Sequence, residues 1–385
     1  MAICAGILIA GLLSESFATT YYVKSNGNDT LAGTSDATAW KTIPKVNTIT
    51  YQPGDQICFK RDNGWNTYGN DNCLHPGGNG TSSARITVKD YGSGNKPNLN
   101  PNNYVSGYGA LVFDKNGWTF QNIQFTTSYC GLWAVANNAT RNHLYINNCH
   151  FLNCYYSLDP LYSTGLTISG AEGWYDVTVD QNTADYCTFA FSVGHGTGNG
   201  ITSANVHFNS SDNGKAGCLF FSRLDSGSAQ GNTCYRAYGH STLTHGVAGG
   251  HIMNSPAYFI KYYNVRNVTR GGGCPDGVGF DFEGGCNGTI LHTCTFSHTA
   301  GPGIMVYGNP DWGDNTNLVL TDTIIANAAE NPPSAVSDYC FFVYDPGNGG
   351  TVNRGTWYKD DASGHRNVYA LPAYGWTYNG TSFQN

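Results

Sequence analysis

Short runs of alternating apolar and polar residues recur along most of the chain, and no long segment repeats apolar residues at helical spacing. The runs of a first series begin about 26 to 31 residues apart, with one gap about twice as long. Three short strands and three turns fill a coil of that length. The pattern therefore predicts an all-β chain of repeated coils, whose first series comprises residues 118–125, 144–151, 175–179, 205–209, 262–265, 290–296 and 318–324.

A second series of strand-like runs follows the same period and lies mostly just after glycines. Two strand series that share one drifting period are typical of a solenoid in which each coil stacks on the previous one. We expect this domain to span residues 19–345. The tail, residues 346–385, shows no repeat and is expected to cap or flank the open end. The second series comprises residues 131–135, 189–193, 219–222, 251–253, 279–283, 303–307 and 341–344.

The low charge content and the negative net charge bear on which classes of partner the protein could bind. Charged residues make up 12% of the 385 residues and the net charge is −7, which argues against nucleic acid and gives no signal for a membrane surface. Residues 3–13 are apolar but too few to cross a bilayer, and Ser16 and Ala18 occupy the −3 and −1 positions of a cleavage site. We therefore expect a signal peptide at residues 1–18 and a secreted protein, with a buried N-terminal strand or helix as the alternative.

Cysteine usage agrees with an oxidising compartment. Of the 13 cysteines, 12 remain once Cys4 leaves with the signal peptide, and some disulfides are expected among them. A bond between Cys58 and Cys73 would close a short polar loop. Cysteines in apolar strand-like runs are explained at least as well by core packing, and these are Cys149, Cys187, Cys218 and Cys294.

Four segments near the N-terminus resemble the opening coils of known proteins: residues 21–29, 40–43, 53–57 and 91–97. Together with the repeat, they make the chain similar to the secreted right-handed parallel β-helix proteins of the pectate-lyase-like superfamily, which are carbohydrate-active. The resemblance implies three parallel sheets around a narrow core. It also implies stacked turn asparagines, here Asn122, Asn148 and Asn264. The superfamily includes lyases, hydrolases, epimerases and binding proteins, so it does not select a reaction.

Residues Asp276 to Gly285 contain the most informative alternation in the chain. Phe280 and Phe282 alternate with Asp281 and Glu283, and residues two apart in a strand share a face. The segment therefore predicts a strand with a buried aromatic side and an acidic outer side, framed by glycines that allow close approach. A slip of one residue would bury the acids instead.

Neighbouring coils extend this outer surface. If the two phenylalanines point inward, Tyr307 on the next coil points outward beside the acids. On the preceding coil we place His251 outward, from the character of its neighbours, although aligning Gly250 with Gly279 would turn it inward. Neighbouring coils lie about 4.8 Å apart, so these side chains are close enough to meet. The predicted outer surface comprises Asp281, Glu283, His251, Tyr307, Arg223 and Asp225.

Paired carboxyl groups point to glycoside hydrolysis, in which one acts as an acid and the other as a base or nucleophile. We assign Asp281 and Glu283 as the catalytic pair, with Asp276 as a supporting acid or metal ligand. A neighbouring carboxylate also raises the pKa of its partner, which favours a general acid. No cofactor is required, although calcium would suit these oxygen atoms, and the acids would also fit a plain solvated surface. The residues expected to bind substrate are His251, Tyr307, Arg223, Asp225 and Trp312.

Two other functions stay open from the sequence. A calcium-assisted polysaccharide lyase needs a base and a group that neutralises the substrate carboxylate. The strand after the acidic one, residues 301–308, has no Lys or Arg, which weakens this interpretation. A non-catalytic carbohydrate-binding or surface protein is the third interpretation. In each case we expect a polysaccharide partner, no nucleic acid, no membrane and a monomer. The lyase candidates are His251, Arg223, Lys261, Arg266 and Arg270.

Overall fold

Short parallel strands stack coil upon coil into three long sheets, and the described residues contain almost no helix. The expected signal peptide lies outside the described residues apart from its last one. No helix among the described residues is long and apolar enough to cross a bilayer. The computed structural model describes residues 18–69, 72–155, 163–195, 199–239, 246–271, 276–330, 339–344, 347–358 and 375–384.

The first sheet holds 13 strands in chain order. Its register keeps apolar residues of successive coils in contact, as where Leu144 pairs with Trp118 on one side and Val177 on the other. The strands are Thr20–Val23, Gln56–Lys60, Ile86–Tyr91, Trp118–Gln121, Arg141–Asn147, Trp174–Asp180, Ile201–His207, Gly227–Gln230, Phe259–Lys261, Ile290–His292, Leu318–Thr321, Gly350–Asn353 and Trp376–Asn379.

The second sheet carries the predicted acidic strand, and we call it the site sheet. Its strands follow the second predicted series closely, so the predicted stacking of that series is confirmed. The strands are Asn103–Phe113, the C-terminal half of Gln124–Val135, Thr164–Ser169, Phe189–His195, Gly217–Ser222, Ala248–Met253, Val278–Glu283, Ile304–Tyr307 and Phe341–Val343.

The third sheet completes each coil. Its strands are Gly64–Asn66, Asn98–Asn100, the N-terminal half of Gln124–Val135, His150–Cys154, Thr183–Asp185, Ser210–Asp212, Thr233–Cys234, Ala237–Tyr238, Asn264–Thr269, Thr295–Thr299, Ile324–Ala326, Thr356–Tyr358 and Ser382–Gln384. Outside the three sheets lie the pair Thr50–Tyr51 and Gly77–Gly78 and one helix, Ile43–Asn47. The strands after residue 346 extend the first and third sheets, so the repeat continues past the boundary expected at residue 345.

A continuous apolar core runs through the coils, because each strand turns its alternate side chains inward. Phe125 and Phe151 stack within it at 5.2 Å between ring centroids, and Phe191 meets Phe151 edge-on at 6.1 Å. The predicted parallel β-helix is confirmed.

The expected stack of turn asparagines is correct for two of its three members. Asn148 Nδ2 donates to Asn122 Oδ1 at 2.7 Å, and both residues have positive φ at equivalent turns. Asn264 does not belong to this stack, because it lies inside the strand Asn264–Thr269. The turn position of its coil is filled by Tyr262, with φ of 54°. An asparagine two residues from the turn gave a misleading signal.

The cysteine pairing differs from the expectation. The bond considered between Cys58 and Cys73 is wrong, because both are free and buried. A disulfide instead joins Cys218 of the site sheet to Cys234 of the third sheet. Both residues sit in strands, and their approach depends on how the intervening turn folds, which spacing alone does not reveal. Core packing holds for Cys149, Cys187 and Cys294, which are free and buried.

A ladder of buried asparagines links three successive coils. Asn182 Nδ2 donates to Asn209 Oδ1 at 2.9 Å, and Asn209 Nδ2 donates to Asn232 Oδ1 at 3.0 Å and to the Val179 carbonyl at 2.9 Å. Asn209 Oδ1 also accepts from the backbone N–H of Asn182 at 2.9 Å. The amide of Asn209 therefore satisfies several polar groups that have no access to water.

Replacing Asn209 with alanine should leave the polar groups that bond to its amide without hydrogen-bond partners. An unsatisfied buried polar group costs about 1–3 kcal/mol, so we expect Asn209→Ala to lower the free energy of unfolding by at least that amount. Urea denaturation followed by circular dichroism measures the change. The matched control is Asn26→Ala, at an exposed position, which should leave the transition in place. Equal midpoints for the two variants would contradict the ladder's role.

Candidate active site

The register of the acidic strand is fixed by its aromatic face. Within Val278–Glu283, Phe280 and Phe282 are fully buried and pack edge-on at 5.1 Å. Phe280 also contacts Tyr263 in the core, with ring centroids 6.1 Å apart. Asp281 and Glu283 therefore project from the opposite face, as the alternation predicted.

The neighbouring strands supply the expected rung partners. His251 pairs with Asp281, which in turn pairs with Met305, and Glu283 pairs with Tyr307. His251 is thus on the same face as the acids, and the alternative alignment that would turn it inward is wrong: Gly250 lies beside Phe280.

His251 lies between the two carboxylates. Its Nε2 is 3.0 Å from Glu283 Oε2, and its Nδ1 is 3.8 Å from Asp281 Oδ2. The Nε2 contact lacks the alignment of a directed hydrogen bond, so it is a charge contact. On its other side the ring stacks on Phe220, with centroids 5.0 Å apart and planes inclined by 21°. One ligand atom from each of the three polar side chains lies within 4.8 Å of the others, close enough to share a cation.

The three polar side chains differ in depth. The Asp281 side chain is 6% exposed, that of His251 13% and that of Glu283 30%. Asp281 is therefore nearly buried, although the sequence places it on an open surface. Its Oδ1 has no hydrogen-bond partner among the described residues. Asp281 thus forms the base of the site and Glu283 the rim.

Burial opposes charge on all three groups. Mutual charges set the net direction of the pKa of His251 and of Glu283, whereas burial sets that of Asp281. Burial lowers the pKa of His251, but the negative charges of Glu283 and Asp281 outweigh it and the net pKa is raised. Burial raises the pKa of Glu283, but the charge of His251 outweighs it and the net pKa is lowered. Burial raises the pKa of Asp281 well above its ordinary value, with Glu283 adding to the effect and His251 opposing it. The arrangement favours ionisation of Glu283 before that of Asp281.

Asp276 joins this electrostatic cluster from the segment before the strand. Burial and the charge of Glu283 raise its pKa, while His251 and Arg270 oppose the rise. Gly246 makes room for it, because a Cβ there would lie 1.9 Å from Asp276 Oδ2. Gly246 was not identified from the sequence, and its separation from Asp276 by a whole coil leaves no local signal.

The expected substrate-binding residues are distributed around the pair. Tyr307 lies one rung from Glu283, and its ring is 5.2 Å from that of the exposed Tyr344. Trp312 comes one coil later, after Ile304–Tyr307, and packs against the turn that follows the acidic strand. A Cβ on Gly285, which has φ of 68° in that turn, would come 3.2 Å from the Trp312 Cβ.

Arg223 and Asp225 lie in the turn that leaves the site sheet. The backbone N–H of Arg223 donates to the Met253 carbonyl at 3.2 Å, next to the strand of His251. Asp225 is instead directed towards the first sheet, where its Oδ2 accepts from Thr202 Oγ1 at 3.5 Å. The prediction that Asp225 shares the outer surface of the site sheet is therefore wrong, because the chain has already turned the corner.

The fold is shared with carbohydrate-active enzymes, whereas no family model matches the chain. A lacto-N-biosidase from Bifidobacterium longum subsp. longum is 39% identical over 83 residues, which are 20% of this chain and only 5% of that protein. The crystal structure of the GH136 lacto-N-biosidase from Eubacterium ramulus superposes with a TM-score of 0.70 at 14% identity, covering 94% of this chain and 68% of that one. A pectate lyase structure gives a TM-score of 0.49 at 14% identity, covering 94% and 78%.

The burial of Asp281 has a consequence for stability. Because the folded pKa of Asp281 is raised, the unfolded state ionises first. Above the unfolded pKa of about 3.9 this ionisation favours unfolding, and the loss of stability grows until the pH passes the folded pKa. We therefore expect Asp281→Asn to raise the thermal midpoint relative to the wild type by an amount that increases with pH, measured by calorimetry. The exposed Asp311→Asn serves as the control and should show no such trend. A rise in the thermal midpoint of Asp281→Asn that does not depend on pH would contradict the raised pKa of Asp281.

Proposed function

We propose that this protein hydrolyses glycosidic bonds in a polysaccharide or oligosaccharide at the site formed by Asp281 and Glu283. The observation that carries the proposal is the pair of carboxyl groups itself. One oxygen of Asp281 and one of Glu283 lie within 4.8 Å of each other, with His251 between them. The pKa of Asp281 is raised and that of Glu283 is lowered. Pairs of titratable groups whose environments separate their pKa values are the usual source of acid and base roles.

The displaced pKa values suggest the role of each residue. Glu283, ionised and more exposed, attacks the anomeric carbon while the bond to the leaving sugar breaks. Asp281, protonated, gives its proton to the leaving oxygen, and Asp276 acts as a supporting acid. Water then attacks the same carbon, its proton returns to Asp281, and Glu283 is released.

The separation of the pair favours retention of configuration. Retaining enzymes hold their carboxyl groups about 5–5.5 Å apart, whereas inverting enzymes leave about 6.5–9.5 Å for a water molecule. One oxygen of Asp281 and one of Glu283 lie within 4.8 Å of each other, and this approach of single atoms fits the first range better than a gap that holds water. The similarity to lacto-N-biosidases supports a carbohydrate substrate for this chain.

The positions of the basic residues give less support to the lyase alternative. Lys261 belongs to the first sheet, where its Nζ lies 4.5 Å above the Tyr262 ring, and Arg266 is exposed on the third sheet. His251 lies between two carboxylates that raise its pKa, so it holds a proton more firmly and is less available as the free base that elimination needs. The hydrolysis proposed needs no cofactor, and calcium binding stays a prediction for a chelator experiment to test.

Removing either member of the pair should abolish hydrolysis. A general acid or base contributes about 10²–10⁴-fold, so Asp281→Asn and Glu283→Gln should each lower kcat by at least 100-fold on a responsive glycan. Release of reducing ends from a panel of plant, algal and microbial glycans measures this. The control Glu172→Gln removes a carboxylate from the turn after Thr164–Ser169, four rungs from the acidic strand, and should keep full activity.

The same assay separates the other functions. An unsaturated product that absorbs in the ultraviolet, with activity lost in a chelator, would identify a lyase. Retardation in a glycan-containing gel without any product would identify a binding protein. Full activity in both carboxylate variants would contradict the site assignment.

Tyr307 is expected to support a sugar ring beside Glu283. Aromatic contacts contribute about 0.5–1.5 kcal/mol, so Tyr307→Ala should raise KM roughly 2- to 13-fold with a smaller effect on kcat. Tyr307→Phe retains the ring and should keep KM near the wild-type value. Tyr175→Ala, which removes an exposed ring from the first sheet, is the off-site control. An unchanged KM in Tyr307→Ala would exclude the contact.

A further inference from the structure

We propose that Tyr344 is a further substrate-binding residue, and that the substrate is a linear glycan long enough to extend from the carboxylate pair across the two following coils. The nature of the ligand, a glycan, rests on the proposed function. Tyr344 was not among the residues that the sequence led us to expect at the site. Two coils separate it from the acids along the chain, so no local signal connects them.

The outer column of side chains that contains Glu283 continues through two tyrosines. Glu283 pairs with Tyr307 on the next coil. The backbone N–H of Tyr344 donates to the Val306 carbonyl at 2.9 Å, so Tyr344 follows Tyr307 in the same column. The centroids of the two tyrosine rings are 5.2 Å apart. Because neighbouring rungs lie about 4.8 Å apart, Tyr344 is about 9.6 Å beyond Glu283 along the axis of the coils.

Tyr344 contributes little to the core. It is 61% exposed, the highest value among the exposed large apolar and aromatic side chains of the described residues. Its ring contacts are with Tyr307 and with Phe342, whose centroid is 6.1 Å away. The rings of Tyr307 and Tyr344 form a continuous aromatic surface beside two carboxyl groups. A ring of this kind suits a sugar, because its face covers the apolar C–H groups while its edge stays in water.

The column is exposed on one side of the pair only. In the direction of the preceding coils it continues with Met253 and Ser222, which pair with each other. Both of these side chains are buried. A glycan bound at the pair therefore finds exposed surface of this column towards the later coils, over Tyr307 and Tyr344.

A buried asparagine holds the backbone beneath this surface. Asn315 Nδ2 donates to the Tyr307 carbonyl at 2.9 Å and to the Phe282 carbonyl at 3.3 Å. Its Oδ1 accepts from the backbone N–H of Cys286 at 3.2 Å, and its own backbone N–H donates to Asn348 Oδ1 at 2.6 Å. These bonds link three successive coils. The surface therefore needs little ordering when a ligand binds, which reduces the cost of binding.

The position of Tyr344 predicts a dependence on chain length. Contacts with remote parts of a substrate help to orient the bond that breaks, so a truncated substrate loses kcat as well as affinity. A disaccharide bound across the pair ends at Tyr307, whereas a hexasaccharide also covers Tyr344. We therefore expect the wild type to favour the longer chain, and this preference to depend on Tyr344.

The experiment compares two chain lengths. The disaccharide and hexasaccharide are prepared by partial acid hydrolysis of the panel glycan that the wild type cleaves best or, if none is cleaved, of the one that retards it most in a gel. Tyr344→Ala should lower kcat/KM on the hexasaccharide by about 2- to 13-fold and leave the value on the disaccharide within about twofold. Tyr344→Phe retains the ring and should keep both values.

The matched control is Tyr358→Ala, which removes an exposed tyrosine ring from the third sheet and should keep both values. An equal loss on both substrates in Tyr344→Ala would overturn the inference, because a structural defect does not depend on the length of the substrate. Trp312→Ala tests the other direction, across the strands towards the turn after the acidic strand. A length-dependent loss in Trp312→Ala with none in Tyr344→Ala would also overturn the inference.

Binding to an inactive variant separates this inference from the proposed reaction. The hexasaccharide is titrated by calorimetry into Glu283→Gln, with and without Tyr344→Ala. We expect the second change to raise Kd by about 2- to 13-fold. An unchanged Kd would overturn the role of Tyr344 even if the wild type is a hydrolase. A raised Kd without hydrolysis of any glycan would sustain it and contradict only the proposed reaction, whereas neither hydrolysis nor retardation on the whole panel would overturn both.

Discussion

The candidate site depends on the two-residue period of side chains in a strand that has one buried face. A slip of one residue in Val278–Glu283 would expose Phe280 and Phe282 and bury Glu283 in the core. Burial of each aromatic ring is worth about 1.5–3 kcal/mol, so the core holds the register firmly. The same core fixes the neighbours, because pairing of Gly250 with Phe280 places His251 beside Asp281.

A rigid stack of coils lets mutually unfavourable groups lie close together. Rungs about 4.8 Å apart bring His251 of one coil and Asp281 of the next within ion-pair distance without any flexible loop. The cost appears as displaced pKa values: Asp281 resists ionisation and His251 resists deprotonation. The stability of the surrounding core offsets the free-energy cost of placing these ionisable groups together, as is common at functional sites.

The sequence alone was sufficient for the strand, its inward face and the rung partners of the acids, because alternation and period are local properties. It was not sufficient for the solvent exposure of the acids. Asp281 is nearly buried because His251 and Met305, on the two neighbouring coils, lie beside it, and packing between coils is not a local property of the sequence. Turns set the second limit, since the corner after Arg223 directs Asp225 towards Thr202. The roles of the site residues are beyond what the fold alone reveals, and they stay predictions.

The identity of the residue at position 251 follows from these constraints. A lysine has three donors on a flexible stem and could contact both carboxylates, but it has no ring to stack on Phe220. An arginine is charged at every working pH, so its charge would not depend on the carboxylates it contacts. Histidine has two nitrogens on opposite edges of a flat ring, so it bridges Glu283 and Asp281 while its face lies on Phe220. Its charge also depends on the carboxylates it contacts, so the three groups titrate as one unit.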